Sequence, residues 1–208
     1  MKWIENGHSE HEFMCDSEKK NIFLIGDSIR RGYCATTKEE LLDKANVFYV
    51  NDNCRSTQYV IFSTKGWAGK FNDASLVDIV YFNCGHWDAA HWSGDIEPLT
   101  SLPEYEKNIK MVIRLLKKYF PNAKLIFSTT SPMNPSGSQD VNPRTNEEIE
   151  KYNAIATEIA REEGIDIHDI NNFMRDFGSE CFTDSVHLTP ESFAMLGKEV
   201  ARFLENYI

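Results

Sequence analysis

Five short apolar runs constrain the fold of this 208-residue chain more than any other feature. They are Ile22-Phe23-Leu24-Ile25, Val47-Phe48-Tyr49-Val50, Asp78 to Phe82, Ala123 to Thr129 and Ile165 to Ile170. Consecutive rather than alternating apolar residues suit strands buried on both faces, and each run is followed, directly or after a loop, by a stretch of helical spacing. The spacing predicts helices from Ser28 to about Ala45, from Gln58 to Lys70, behind the capping boxes Ser101-x-x-Glu104 and Thr145-x-x-Glu148, and from Thr189-Pro190-Glu191 onward. Strands joined through helices make a parallel sheet covered on both sides. The expected architecture is α/β: a three-layer α/β/α sandwich around a five-stranded parallel sheet. Sites in such sheets lie at the carboxyl ends of the strands, so Ser28, the loop from Asn51 to Thr57 and the loop from Asn83 to Asp88 should meet on one edge.

With 41% hydrophobic residues, the length suits one core, so residues 1–208 read as a single domain. The leader, residues 1–20, places Trp3, Ile4, Phe13 and Met14 among charges, a pattern that either packs across the domain or frays. Lys and Arg total 22 against 32 Asp and Glu, a net charge of −10 that argues against nucleic acid and anionic membrane surfaces as partners. No apolar run approaches the span of a bilayer, and the opening residues are too polar for a signal peptide. The expected compartment is therefore the cytoplasm, although a secreted form with its signal removed would read the same way. Five cysteines, at 15, 34, 54, 84 and 181, are odd in number and lack C-x-x-C spacing, so they read as free thiols.

Chemistry enters at two places far apart in the chain. Gly26-Asp27-Ser28 makes a sharp exit from the first strand and leaves a serine on the rim of the sheet, where alone it would pass for an N-cap. Between the fifth strand and the last helix stands Asp184-Ser185-Val186-His187, a spacing that lets the carboxylate hold one imidazole nitrogen while the other faces a hydroxyl. Together these pieces are what serine ester hydrolysis needs: His187 to remove the Ser28 proton, and Asp184 to fix the tautomer and stabilise the imidazolium. No metal or organic cofactor is required.

With these residues in view, the chain resembles the SGNH (GDSL-type) hydrolases from Phe23 to about Phe203. Gly26-Asp27-Ser28-Ile29 matches the family's first block, and Asp184 to His187 matches its last. The resemblance implies a flavodoxin-like strand order, a triad of Ser28, His187 and Asp184, and an oxyanion hole drawn from the Ser28 amide, a second-block glycine amide and a third-block asparagine. Cys54-Arg55-Ser56 resembles the Gly-Arg-Ser of rhamnogalacturonan acetylesterases, with Cys54 where glycine is usual, so the Cys54 amide is the expected donor; Gly66 and Gly69 lie within an expected helix. The third block reads Asn83-Cys84-Gly85-His86-Trp87-Asp88, with Trp87 where the asparagine is usual. It resembles a branch carrying Asn-x-Gly-x-Trp-Asp, in which Asn83 becomes the candidate donor.

The expected substrate is a small-molecule or saccharide ester with a short acyl group, acetyl foremost. Arg55, Gly85, His86, Trp87, Asp88 and Trp92 are the candidate substrate contacts, within loops that read as polar and without an apolar tract for a fatty acyl chain. Trp87 and Trp92 either stack on a sugar ring or anchor the loop. Rival readings are a metal site from His86-x-Asp88-x-x-His91, an acyltransferase or a lipid or thioester hydrolase using the same residues, and a non-catalytic carbohydrate-binding module.

Overall fold

In a computed structural model that describes residues 12–136 and 141–208, the first apolar run forms β1 (Lys20–Ile25), buried from Asn21 onward. The chain continues through α1 (Ser28–Glu40), β2 (Ala45–Tyr49), α2 (Thr57–Ala68), β3 (Ile79–Phe82), α3 (Leu102–Tyr119), β4 (Lys124–Ser128), α4 (Asn146–Glu162), β5 (Asp166–His168), the short α5 (Ile170–Phe173) and α6 (Pro190–Leu204). All five strands pair in parallel in the order β2-β1-β3-β4-β5. This is the flavodoxin-like order, and its direction reverses between β1 and β3, which opens a crevice at their carboxyl ends.

Alternation along β1 builds the three layers. Phe23 and Ile25 join Val80, Phe82 and Phe127 on one face, filled by Val60 and Trp67 of α2, Ile109 and Val112 of α3, and Tyr152 of α4. Ile22 and Leu24 turn to the other face with Tyr81 and Ile126, against Ile29 and Tyr33 of α1 and Leu196 and Val200 of α6. Each such side chain, fully buried, stabilises by roughly 1.5–3 kcal/mol before its lost conformational entropy is set against it.

Several boundaries differ from those expected. α1 stops at Glu40 rather than near Ala45, because Leu41 is wholly buried and Ala45 already pairs with Lys20 in the sheet. The fifth run yields only three strand residues: Asp169 turns its carboxylate onto the Asn172 amide and caps α5, which the sequence reading had not separated from the strand. Of the leader, Trp3 and Ile4 lie outside the described residues, whereas Phe13 is buried against Phe23, Phe48 and Phe71. The five cysteines are free, and all but Cys181 are buried. Among the described residues, no helix is long and apolar enough to cross a membrane.

Candidate active site

The turn after β1 explains how a serine hydroxyl comes to stand clear of its helix. A Cβ on Gly26 would lie 2.7 Å from the Cβ of Arg30, so only glycine lets the chain fold back this tightly into α1. Asp27, not Ser28, is the N-cap, its Oδ1 accepting from the Ile29 amide at 2.9 Å. Ser28 is thereby released from capping and becomes the first helical residue. Its own amide, at N1, has no intrahelical acceptor and sits at the positive end of the helix dipole. Burial pushes the Asp27 carboxyl above its ordinary value, with the Ile29 amide and the charges of Arg144, Arg30 and His187 opposing it.

Ser28 Oγ lies 2.9 Å from His187 Nε2, and His187 Nδ1 lies 2.7 Å from Asp184 Oδ2. The other oxygen of Asp184 accepts the amides of Val186 and His187, each at 2.7 Å. One oxygen is thus held by backbone and the other by imidazole, and this fixes the carboxylate's plane. Burial pushes the Asp184 carboxyl up, but the His187 and Val186 amides and the imidazole outweigh it and hold the group below the usual carboxylate range. The turn is itself pinned, since the amide of Thr183 donates to the His187 carbonyl at 2.8 Å and Phe182 bridges to Leu188. Thr189 then caps α6, with Pro190 in its first turn. These three side chains open into a pocket of about 400 Å³ at the crevice between β1 and β3, which Asn53, His86, Trp87 and Arg144 also line.

The sequence pattern of the GDSL-like lipase/acylhydrolase family matches residues 24–194, which include both the serine turn and the Asp-His turn. The chain belongs to that family. A GDSL esterase/lipase of Oryza sativa subsp. japonica is 30% identical over 142 residues, covering 64% of this chain and 54% of that protein. The chain therefore spans about half the length of the curated relatives it matches. Among solved structures, an acetyl xylan esterase superposes with a TM-score of 0.71 at 18% identity, covering 88% of this chain and 99% of that one. A lipase/acylhydrolase from Enterococcus faecalis gives 0.70 at 18% identity, with 90% and 96% covered. At such identities the likeness is one of fold.

Against the GDSL family pattern, four expected site residues have other work. Asn83 is buried, with Nδ2 donating to the Ser128 carbonyl at 2.9 Å and its amide to Ile25 O at 3.0 Å; it ties β3 to its neighbours and is not a side-chain donor to the pocket. The Cys54 amide donates to the Gly26 carbonyl at 3.1 Å, so it is not available to an oxyanion. Gly85 does not line the pocket either: its missing Cβ lets Thr130 Oγ1 approach to 2.0 Å of where that atom would be. Asp88 is wholly buried, with both oxygens on the Thr57 amide and one at 2.6 Å from Thr57 Oγ1; it closes the amino terminus of α2 instead of facing substrate. Burial pushes its carboxyl up to about 6.

The remaining candidates stand nearer the expectation. His86, Trp87 and Trp92 line the pocket. His86 is buried with Nε2 2.9 Å from Ser131 Oγ, and burial together with the charges of Arg144 and His187 holds it well below its ordinary value, hence neutral. The rings of Trp87 and Trp92 are 5.5 Å apart, and the Arg55 guanidinium lies 6.0 Å above Trp87 and 4.9 Å above Tyr59. With the exposed Phe62 and Leu99, these rings form a groove of about 440 Å³ beside the pocket, an apolar tract that the polar appearance of the loops had concealed. The three residues of the metal reading are drawn apart: His86 to Ser131, Asp88 to Thr57, and His91 to Glu148 Oε1 at 2.7 Å.

The sequence reading missed Arg30, which is 2% exposed inside α1 and donates to the carbonyls of Gly26, Val50 and Asp52. This one side chain fastens the loop after β2 to the turn that carries Ser28. An arginine on a helix next to another arginine gives no signal of burial, because the acceptors are backbone carbonyls brought close only by the sheet. Asn53 and Arg144, both at the pocket, sit in stretches that read as ordinary loop.

Proposed function

We propose that this chain is a serine esterase that removes a short acyl group, acetyl foremost, from a carbohydrate or similarly polar alcohol. The observation that carries the reading is the unbroken hydrogen-bonded run from Ser28 through His187 to Asp184 in an open pocket. In the proposed mechanism His187 Nε2 takes the hydroxyl proton as Ser28 Oγ attacks the ester carbonyl, and Asp184 stabilises the imidazolium that results. The Ser28 amide donates to the oxygen that becomes negative. Collapse of the tetrahedral intermediate returns the proton from His187 to the departing alcohol and leaves an acyl-serine. Water, deprotonated by the same imidazole, then releases the acid and restores Ser28.

The substrate class rests on the surroundings of the triad. Asn53, His86 and Arg144 make the pocket polar, and beside it the Trp87, Trp92 and Tyr59 rings, with the Arg55 guanidinium lying over Trp87 and Tyr59, make an aromatic surface suited to the C–H side of a sugar. A fold shared with an acetyl xylan esterase supports the same reading. The test is a panel of acetylated sugars, p-nitrophenyl acetate and p-nitrophenyl octanoate. Acetyl esters should give the higher kcat/KM; a preference for octanoate would assign the apolar groove to an acyl chain and reject the carbohydrate reading.

A further inference from the structure

We infer that Asn53 supplies the side-chain donor of the oxyanion hole. The inference rests on the serine esterase reading and adds a residue to it. Tetrahedral intermediates of acyl transfer need two or more preorganised N–H donors, and the Ser28 amide is one. The two others expected, the Asn83 carboxamide and the Cys54 amide, are bonded to Ser128 O and Gly26 O.

Asn53 lines the pocket with Ser28 and His187, and its carboxamide is oriented by a local bond. Asn53 Oδ1 accepts the Arg55 amide at 3.0 Å, an Asx turn that requires the oxygen on that side and so turns the Nδ2 group the other way. Among the described residues, Nδ2 donates to no protein acceptor. Arg55 takes φ of 45°, a left-handed conformation seldom adopted by a side-chain-bearing residue, which marks this turn as held by its surroundings.

The hold can be named. The next residue's amide, Cys54 N, is bonded to Gly26 O, two positions before the nucleophile, and buried Arg30, two positions after it, grips Val50 O and Gly26 O at 3.1 and 3.3 Å and also Asp52 O. Asn53 is therefore tied on both flanks to the turn that carries Ser28, which is the preorganisation an oxyanion donor needs. The other carboxamide at the pocket, Asn142, accepts the Ser93 amide on its Oδ1, a bond to a different loop.

Two substitutions separate this role from a structural one. Asn53→Asp keeps an acceptor for the Arg55 amide but loses the donor and adds negative charge beside the developing oxyanion; Asn53→Ala loses both. With p-nitrophenyl acetate, and with thermal melts run alongside, both variants should lose roughly 10²–10³ in kcat with KM little changed, Asn53→Asp at least as severely as Asn53→Ala. Near wild-type kcat in Asn53→Asp would overturn the assignment, since a residue that only shapes the turn is served by aspartate. Ser28→Ala is measured in the same series. If Ser28→Ala is inactive while Asn53→Asp is not, only the Asn53 role falls; if Ser28→Ala keeps its turnover, the serine esterase reading falls and this inference with it.

Discussion

Replacing Asp88 with asparagine should change how the stability of this protein depends on pH. Asp88 is fully buried at the amino terminus of α2, and burial raises its carboxyl from 3.8 to about 6. A carboxyl with a raised folded-state value binds more protons folded than unfolded between those limits. Its stabilising contribution is therefore complete below the lower value and is lost as the pH rises through the upper one. At 1.36 kcal/mol per unit the full effect is about 3 kcal/mol, of which about 2 kcal/mol falls between about pH 4.5 and about pH 7.5. Asp88→Asn removes the titration while keeping one acceptor for Thr57, at a cost that does not vary with pH. Guanidinium unfolding at the two pH values, wild type against variant, should show the variant's deficit shrinking by about 2 kcal/mol at the higher pH. A deficit equal at both would refute the reasoning, because Asp88 would then not titrate across this window.

His187→Ala should abolish esterase turnover as completely as Ser28→Ala, since members of one proton-transfer unit do not act additively, and Asp184→Asn should be the mildest of the three; an unaffected Asp184→Asn would move the orienting carboxylate elsewhere. Asn83→Ala removes a buried donor to Ser128 O and should cost about 1–3 kcal/mol, read as a lowered Tm, with kcat little changed. A large fall in kcat without a fall in Tm would return Asn83 to the reaction.

The layered fold and the convergence of Ser28, His187 and Asp184 were legible because each rests on local pattern: continuous apolar runs such as Ile22 to Ile25, capping boxes at Ser101 and Thr145, and two short motifs whose side chains need only meet. The sheet order then places Gly26-Asp27-Ser28 and Asp184 to His187 on one edge. The loops between were less legible because their side chains answer to partners far away in the chain. Asp88 looks like a polar rim residue until Thr57 is brought beneath it, and Asn83 looks exposed until Ser128 O arrives from β4. Asn53, one of several polar residues in a loop, is distinguished only by its bond from the Arg55 amide and by what Arg30 and Gly26 do to the backbone around it.

The central claim is that Ser28 is the nucleophile, and covalent labelling tests it most directly. An alkyl fluorophosphonate added to the wild-type protein should give a single adduct, located by peptide mass spectrometry at Ser28, with esterase activity lost in step with its appearance. Ser28→Ala should take up no label and turn over no p-nitrophenyl acetate while melting as the wild type does, because a rim hydroxyl contributes little to stability. Label on another residue, or turnover persisting in Ser28→Ala, would contradict the account.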